Sequence, residues 1–290
     1  MIRILLAASS LGLAPGLASP ALAQSTDWAK VRAEWNQPMA PFRILGNVHY
    51  VGTAGISAYL ITSPQGHILI DGGMPESAPL IAANIEKLGF KLTDVKILLI
   101  NHAHWDHEGG LAELKRRTGA RLLASAADTP ALEAGRSDYR PDISIAAPPV
   151  KVDGQLKDGE EIRLGTNTLV AHLTPGHTKG CTSFTLQVPS GGDSLTVLFA
   201  CSLSVADQPL TPGHGYDAAP TDFRATFAKL RATQADVFLS FHAEQFDLAA
   251  KRAKQVAGDA EAFVDPGELG RRVDAAQKAF DAVPKAQGAN

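Results

Sequence analysis

The sequence predicts two packed β-sheets with helices on their outer faces. Strand-like and helix-like patterns alternate from residue 42 to the C-terminal end, and the strands form two groups, each followed by helices. No segment repeats at a solenoid period, and no stretch is long and polar enough to act as a linker between independent domains. We therefore expect one globular unit of mixed α and β structure.

The first group of strands leads into strand–helix–strand units. Apolar residues that alternate or run over short lengths predict strands, and apolar residues at a spacing near 3.6 predict helices. In chain order we predict strands over 42–53 and 57–70 with a hairpin turn at 63–66, a helix through Leu80, Ile81, Ile85 and Leu88 that ends at Gly89, a buried strand over 95–100, a helix over 111–117 closed by Gly119, and a strand over 121–124.

The second group of strands follows an irregular, proline-containing loop. We predict two short strands within 161–174, a strand pair over 181–188 and 194–200, a helix over 221–233, a strand over 236–240 and an amphipathic helix over 268–283. The irregular segments 138–149 and 208–217 are predicted to form the walls of a site, because long loops are often functional.

The composition excludes several classes of protein. The chain is 45% hydrophobic and 20% charged, so it can bury a core and is not intrinsically disordered. A formal net charge of −3 offers no basic surface, and we expect no nucleic-acid partner. Two cysteines are too few for a structural zinc cluster of four thiolates. Nothing in the sequence requires more than a monomer.

The N-terminal residues have the pattern of a secretory signal peptide. A basic start at Arg3 precedes an apolar run over 4–18, and Ala21-Leu22-Ala23 offers a small-x-small cleavage site. We expect residues 1–23 to be removed and residues 24–290 to form the mature single-domain protein, periplasmic or secreted; an apolar N-terminal helix is the alternative. No later segment reaches membrane-spanning length without charges, so no membrane contact is expected after processing.

The strongest functional signal is the segment 101–107, which reads Asn-His-Ala-His-Trp-Asp-His directly after the predicted buried strand. Three imidazoles and one carboxylate within six residues suit zinc and similar divalent ions. A loop can turn His102 and His104 toward one point, and Asp106 and His107 toward a second. These polar groups would each need a partner if they were only core residues, so the pattern favours a metal site.

This segment resembles the His-x-His-x-Asp-His signature of the metallo-β-lactamase superfamily. The resemblance implies an αββα sandwich: two mixed β-sheets packed face to face, with helices on both outer faces and two similar halves. Later segments are similar as well. Residues 69–73 (Leu-Ile-Asp-Gly-Gly) resemble the family's strand-end aspartate and glycine turn, residues 174–178 (Thr-Pro-Gly-His-Thr) resemble a ligand loop, and Phe241-His242 resembles the last ligand position.

The resemblance implies two zinc ions in each chain and a zinc-bound hydroxide as the nucleophile, oriented by Asp106. The implied ligands are His102, His104 and His177 for the first ion and Asp106, His107 and His242 for the second. The residue types agree with this implication, because three ligands leave open positions for water and substrate, as catalytic zinc requires. Iron or manganese could occupy similar ligands.

The segment after the predicted strand 194–200 indicates the branch of the superfamily. It reads Cys201-Ser202-Leu203-Ser204, whereas thioesterases and lactonases of the superfamily carry a bridging aspartate there. The combination of histidine at position 107 with serine in this segment resembles the residue pattern of the third subclass of class B β-lactamases. The resemblance implies that Ser202 and Ser204 bind the substrate carboxylate. Many members of that subclass have aspartate where this chain has Cys201, which is a departure.

The two cysteines supply an explanation for this departure. Cys181 and Cys201 are equidistant from Gly191, so a hairpin centred on Gly191 makes them direct cross-strand neighbours. Such neighbours lie within reach of a disulfide, and an exported protein meets an oxidising compartment. We therefore expect a Cys181–Cys201 disulfide worth about 3 kcal/mol. The competing hypothesis is a free Cys201 that ligates zinc.

Two further residues have open roles. Asp71 either accepts a hydrogen bond from a ligand imidazole, as is common around zinc, or only ends a strand before Gly72. Trp105 either packs beneath the metal loop or lines the cleft.

The leading hypothesis is zinc-dependent hydrolysis of the β-lactam amide bond of penicillins, cephalosporins and carbapenems, which confers antibiotic resistance, with the small-molecule β-lactam as partner. The alternatives are a lactone or thioester hydrolase of the same fold and a non-catalytic periplasmic metal-binding protein. The missing aspartate and the signal peptide weigh against the first alternative. Open coordination positions weigh against the second, because they suit water activation better than storage.

Overall fold

The computed structural model describes residues 27–136, 146–206, 208–213 and 215–286. The predicted signal peptide lies outside these residues, as do most of the predicted loop 138–149 and residue 214 of the predicted loop 208–217. Among the helices that the structure describes, none has both the length and the apolar character needed to cross a membrane.

The described part of the chain forms the following elements. The strands are β1 (Phe42–Leu45), β2 (Val48–Tyr50), β3 (Tyr59–Ile61), β4 (His67–Ile70), β5 (Val95–Leu99), β6 (Arg121–Ser125), β7 (Gly154–Leu156), β8 (Glu161–Leu164), β9 (Asn167–Leu173), β10 (Thr182–Ser190), β11 (Asp193–Ala200) and β12 (Val237–Ser240). The α-helices are α1 (Trp28–Trp35), α2 (Ala78–Lys87), α3 (Trp105–Glu108), α4 (Leu111–Thr118), α5 (Thr129–Ala134), α6 (Ala219–Arg231), α7 (Leu248–Val256) and α8 (Glu268–Ala286), and short 3₁₀ turns lie at Pro75–Ser77, Leu92–Asp94 and Ala243–Phe246.

The strands form two mixed sheets. The first has the order β1-β2-β3-β4-β5-β6-β7, antiparallel from β1 to β4 and parallel from β4 to β7. The second has the order β12-β11-β10-β9-β8 and is antiparallel except for the parallel pair β11 and β12. The parallel pairs follow strand–helix–strand crossovers such as β4-α2-β5.

Alternating side chains divide the first sheet between two cores. On β3, Tyr59 and Ile61 belong to a core shared with Phe199 of the second sheet, whereas Leu60 belongs to a core shared with Ile81 of α2. The ring centroids of Tyr59 and Phe199 lie 5.1 Å apart, so the two sheets pack face to face. This alternation follows from the two-residue period of a strand.

Helices complete the outer layers. The apolar face of α2 and α4 covers the first sheet, and α6 and α8 cover the second, where the rings of Phe223 and Phe280 lie 5.3 Å apart. The predicted fold class is therefore confirmed: the described residues form an αββα sandwich.

The register that the sequence suggested for the cysteine hairpin is wrong by one residue. The strands pair from Phe184–Phe199 to Ser190–Asp193, so the hairpin is centred between Gly191 and Gly192 and not on Gly191. The ladder ends before it reaches the cysteines, because the backbone N–H of Cys201 donates to the hydroxyl of Ser183 at 3.0 Å instead.

The expected disulfide between Cys181 and Cys201 is nevertheless present, with the two Cα atoms 5.9 Å apart. Both cysteines lie beyond the paired part of the hairpin, where the ladder no longer fixes which residues face each other. A cysteine in a disulfide is not available as a thiolate, so this structure offers no support for a free Cys201 that ligates zinc.

Candidate metal centre

The six predicted ligands lie at one edge of the sandwich, in segments that follow strands. His102 and His104 follow β5, and Asp106 and His107 lie in the short helix α3. His177 lies between β9 and β10, and His242 follows β12. A rigid scaffold of strands thus presents side chains from both sheets at one place, which is typical of functional loops.

His102, His104 and His177 form the first ligand group, with their ligand nitrogens within 4.8 Å of one another. Nε2 of His102 lies 3.0 Å from Nδ1 of His104, and the ring centroids of His102 and His177 lie 4.5 Å apart. Burial lowers the pKa of His102 and of His177 well below the usual range, and the neighbouring imidazoles lower both further. The two rings are therefore neutral, which is the form that binds a metal ion.

Asp106, His107 and His242 form the second ligand group, which meets the same distance limit. Nε2 of His107 lies 3.1 Å from Nε2 of His242, and Oδ2 of Asp106 lies 3.4 Å from both nitrogens. Burial opposes the charge of Asp106, but the imidazoles of His107 and His242 outweigh it and hold the pKa of the carboxyl well below its usual range. The group therefore contains one carboxylate anion.

The two groups lie side by side. The ring centroids of His102 and His107, which belong to different groups, are 4.3 Å apart. Two ions held by these groups would therefore be neighbours, as in hydrolases that use two metal ions.

Hydrogen bonds behind the rings determine which nitrogen faces each group. Nδ1 of His177 donates to the carbonyl oxygen of Ser204 at 2.7 Å, and Nδ1 of His107 donates to Oδ2 of Asp71 at 3.0 Å. Nδ1 of His102 donates to the side-chain oxygen of Asn101. Because these oxygens only accept, each Nδ1 carries a proton and each Nε2 faces its group; in the neutral rings of His102 and His177, that Nε2 carries a lone pair. Metal-ligating histidines have this arrangement, so the residues fit zinc.

Asp71 connects the end of β4 to both ligand groups. It is fully buried and accepts a hydrogen bond from the backbone N–H of Asn101 at 2.9 Å as well as from the side-chain amide of Asn101. It therefore contacts His107 of the second group directly and His102 of the first group through Asn101. Its φ of 68° is a left-handed conformation that aspartate tolerates better than most residues.

Ser202 and Ser204 lie in the segment after β11, and their hydroxyl groups take part in the turn there. The hydroxyl of Ser202 accepts the backbone N–H of Ser204 at 3.3 Å, and the hydroxyl of Ser204 accepts the backbone N–H of Ala206 at 3.1 Å. Ser202 is only 5% exposed. The structure therefore gives Ser204 a direct contact with the centre through its backbone carbonyl, which accepts from His177.

Trp105 packs beneath α1 and is only 5% exposed. Its ring stacks on that of Trp35 with the centroids 6.3 Å apart, and the guanidinium of Arg32 lies 5.2 Å from its centroid. The ring of Trp35 in turn lies 5.0 Å from the ring of His242. The helix α1, which the sequence did not predict, therefore packs against the second ligand group.

Part of the predicted loop 208–217 lies against the segment that carries His177. The side-chain amide of Gln208 donates to the carbonyl of Gly176 at 2.8 Å. Gly176 has a φ of 141°, and a Cβ there would lie 2.8 Å from the ring of Phe223, so only glycine fits this position.

Sequence reasoning missed three polar residues at the centre. Asn101 was part of the segment that gave the main signal, but its amide oxygen was given no role. Glu108 is buried beside the second ligand group, and burial together with the carboxyl groups of Asp128 and Asp106 raises its pKa to about 8. Asp128 is distant from the ligands in the sequence, and no spacing pattern marks it.

The fold and the centre together define an αββα sandwich with a candidate metal site of histidine and aspartate at one edge. The sequence model of the metallo-β-lactamase superfamily matches residues 51–191, which contain the motif His102 to His107 and the loop of His177.

Solved structures match nearly the whole chain. A metallo-β-lactamase of Cronobacter sakazakii, described by a HARLDQ motif, is 40% identical, has a TM-score of 0.86, and is matched over 90% of this chain and 100% of its own. BJP-1, a subclass B3 metallo-β-lactamase of Bradyrhizobium japonicum, is 44% identical with a TM-score of 0.85, over 88% of this chain and 97% of its own. FEZ-1 of Legionella gormanii is 36% identical with a TM-score of 0.84, over 87% and 98%.

Curated relatives match a shorter segment. A hydroxyacylglutathione hydrolase of Rhodopseudomonas palustris (strain BisB5) is 36% identical over 120 residues, which are 41% of this chain and 39% of that protein. The chain thus spans about two fifths of the length of the first curated relatives. The chain belongs to the metallo-β-lactamase superfamily. Its solved relatives include subclass B3 metallo-β-lactamases.

Proposed function

We propose that this protein hydrolyses the β-lactam amide bond of penicillins, cephalosporins and carbapenems with two zinc ions per chain. The observation that supports this proposal best is the pair of adjacent ligand groups, in a chain that matches subclass B3 β-lactamases over nearly their whole length. Each group offers three ligands, which leaves coordination positions for water and substrate.

The proposed ligands are His102, His104 and His177 for the first ion and Asp106, His107 and His242 for the second. Bound zinc supplies polarisation of the lactam carbonyl and activation of a water molecule near neutral pH. The carboxylate of Asp106 is anionic, and its Oδ2 lies 3.4 Å from each of the two Nε2 atoms of its group, so it can accept a hydrogen bond from the attacking water and orient it. We further propose that the hydroxyl groups of Ser202 and Ser204 bind the substrate carboxylate.

The test is hydrolysis of a chromogenic cephalosporin by the purified mature protein, with and without a chelator, together with zinc analysis. We expect turnover that the chelator abolishes and that zinc restores, with about two zinc ions per chain. Two bound zinc ions without hydrolysis of any penicillin, cephalosporin or carbapenem would refute the proposed substrate class.

Variants test the assignment of the residues. We expect His177→Ala and Asp106→Ala to lower kcat by at least about 100-fold, because each removes a ligand of one ion. Asp153→Asn is a control for the loss of a carboxylate outside the ligand groups, because Asp153 accepts the backbone N–H of Leu122 on β6 at 2.8 Å and pairs with Lys115 of α4 at 2.6 Å. Near wild-type turnover by either ligand variant would disprove the assignment.

A thioester hydrolase is the second candidate, because the curated relatives are hydroxyacylglutathione hydrolases. The segment after β11 disfavours this activity: the superfamily's thioesterases carry a bridging aspartate there, whereas this chain has Cys201 in a disulfide. A hydroxyacyl thioester of glutathione, assayed beside the cephalosporin, separates the two candidates. A kcat/KM at least about 100-fold higher for the thioester would make the thioesterase the better assignment.

We also propose that the protein acts in the periplasm as a monomer after removal of residues 1–23. The basic start, apolar run and Ala21-Leu22-Ala23 site support this proposal. Mass spectrometry of the protein from a periplasmic extract is expected to find Gln24 as the first residue. A chain that retains Met1 in the cytoplasm would contradict it.

A further inference from the structure

The carboxylate of Asp128 joins the two loops that carry the first ligand group. The His102 loop comprises residues 100–104, and the His177 loop comprises residues 174–181. Oδ2 of Asp128 accepts the backbone N–H of Ala103 in the His102 loop at 2.9 Å. In the His177 loop, Oδ2 accepts the hydroxyl of Thr178 at 2.9 Å, and Oδ1 accepts the backbone N–H of Gly180 at 2.9 Å.

These contacts lie close to the ligands and are buried. Ala103 is the residue between His102 and His104, and Thr178 follows His177 directly. Asp128 is 2% exposed and Thr178 is fully buried, so water does not compete for these hydrogen bonds.

We propose that Asp128 is a positioning residue that sets the distance between the His102 loop and the His177 loop, and thereby the geometry of the first metal site. The inference rests on the proposed function only in so far as that function requires a metal ion at this site. The His102 loop follows β5 of the first sheet, whereas the His177 loop joins β9 and β10 of the second sheet. The three ligands of one ion therefore come from two sheets, and a shared anion that accepts from both loops fixes them relative to each other.

The chemistry of the position requires a carboxylate. Backbone N–H groups donate to both oxygens of Asp128, one from each loop. An asparagine in either orientation would place its amide hydrogens against one of these donors. The contact is also tight, because a Cβ at Gly180 would lie 2.6 Å from Cγ of Asp128, so the backbone at position 180 comes this close to the carboxylate only as glycine.

The test measures zinc binding by the full-length mature protein, in competition with a chromophoric chelator. In Asp128→Asn we expect the zinc affinity of the first ligand group to fall about 10- to 100-fold, as for other residues that orient metal ligands, while the second group keeps its affinity. Asp153→Asn is the control for the general cost of removing a carboxylate that accepts a backbone N–H, and its zinc affinities should equal those of the wild type.

Double variants identify the affected group. Combined with His242→Ala, which disables the second group, Asp128→Asn should weaken the remaining ion. Combined with His177→Ala, which disables the first group, it should have no effect on the remaining ion. Wild-type affinity for both ions in folded Asp128→Asn, or an equal loss at both groups, would overturn the inference.

A milder variant keeps the test decisive if Asp128→Asn does not fold. Thr178→Val removes one of the three hydrogen bonds and fills nearly the same volume. We expect the zinc affinity of the first ligand group alone to fall, by about 3- to 10-fold, which is less than the 10- to 100-fold loss expected for Asp128→Asn. A wild-type zinc affinity in this variant would contradict the inference. These measurements use no β-lactam, so a wild type that binds two zinc ions but hydrolyses no lactam would refute the proposed function without touching this inference.

Discussion

At the scale of single residues, the ligand imidazoles differ in the group that accepts the hydrogen bond from their Nδ1 atom. Nδ1 of His107 donates to a carboxylate, Nδ1 of His102 to an amide oxygen and Nδ1 of His177 to a backbone carbonyl. Only the first acceptor carries a full charge, and hydrogen bonds to ionised groups are roughly twice as strong as neutral ones. The orientation of His107 therefore depends most on a single replaceable side chain, that of Asp71.

Asp71→Asn tests this dependence. Asparagine also tolerates a positive φ, so the turn is kept while the charge is lost. We expect the zinc affinity of the second ligand group to fall about 10- to 100-fold, because the second partner of a ligand imidazole has effects of this size. Chelator competition measures this loss. An unchanged affinity of the second group would show that the negative charge of Asp71 is not required.

Two histidines far from the centre lead to a prediction about how the stability of the fold depends on pH. His49 and His67 pack against the ring of Phe90, at centroid distances of 5.3 Å and 5.0 Å. Burial lowers the pKa of both imidazoles below the usual value of 6.5. The unfolded chain therefore takes up protons at these two positions at a higher pH than the folded chain, and the free energy of unfolding falls as the pH drops below about 6.5.

The double variant His49→Gln/His67→Gln should lose less stability than the wild type between pH 7.5 and pH 5. Each pKa unit of depression accounts for about 1.4 kcal/mol of this difference. Urea denaturation at several pH values measures it. Parallel pH profiles for the two proteins would mean that neither histidine titrates differently in the folded state.

The residues of the centre show which parts of a site a sequence reveals. The candidate ligands could be identified from the sequence because four of them lie within the contiguous segment 102–107. Asp128 and Trp35 could not be identified in this way, because they are distant from the ligands in the sequence and come close to the centre only in the folded structure. Asn101 lies beside the motif, but only the direction of its amide, toward Asp71 and His102, gives it a role.

At the scale of elements, prediction succeeded where a pattern was long enough. The buried run 95–100 and the helices α2, α4, α6 and α8 were predicted within a few residues of their bounds. The strand β7 has three residues and α1 has eight, none of them buried, so both are too short to show a clear period in the sequence. The helices α5 and α7 were missed as well.

The disulfide supplies a prediction at this scale. Cys181 and Cys201 are 20 residues apart, and Sγ of Cys201 lies 3.7 Å from Nδ1 of His102, so the bond closes the hairpin and also packs behind a ligand. We expect Cys181→Ala/Cys201→Ala to lower the free energy of unfolding by about 3 kcal/mol, because the open chain regains loop entropy. Denaturant titration measures this change.

Thiol titration of the denatured, unreduced wild type is the control and should find no free thiol. Two free thiols, or a double variant as stable as the wild type, would contradict the prediction.

At the scale of the whole molecule, the centre bridges the two sheets. The residues His102, His104, Asp106 and His107 follow β5 of the first sheet, whereas His177 and His242 belong to the second. Each ligand group contains members from both sheets. An ion bound by either group therefore cross-links the two halves of the sandwich, in addition to the apolar core between them.

Removal of zinc should therefore destabilise the entire sandwich and not only the loops around the centre. A ligand that binds only the folded state and is present at 1,000 times its Kd stabilises that state by about 4 kcal/mol. For a domain of 150–250 residues, each kcal/mol corresponds to a Tm change of about 2–4 °C, so stripping one such ion should lower the Tm by about 8–16 °C. Calorimetry with and without a chelator measures this shift, and the His177→Ala/His242→Ala variant, in which both groups are incomplete, should show little response to the chelator. A wild type that loses its zinc without a change in Tm would mean that the apolar core alone holds the sheets together.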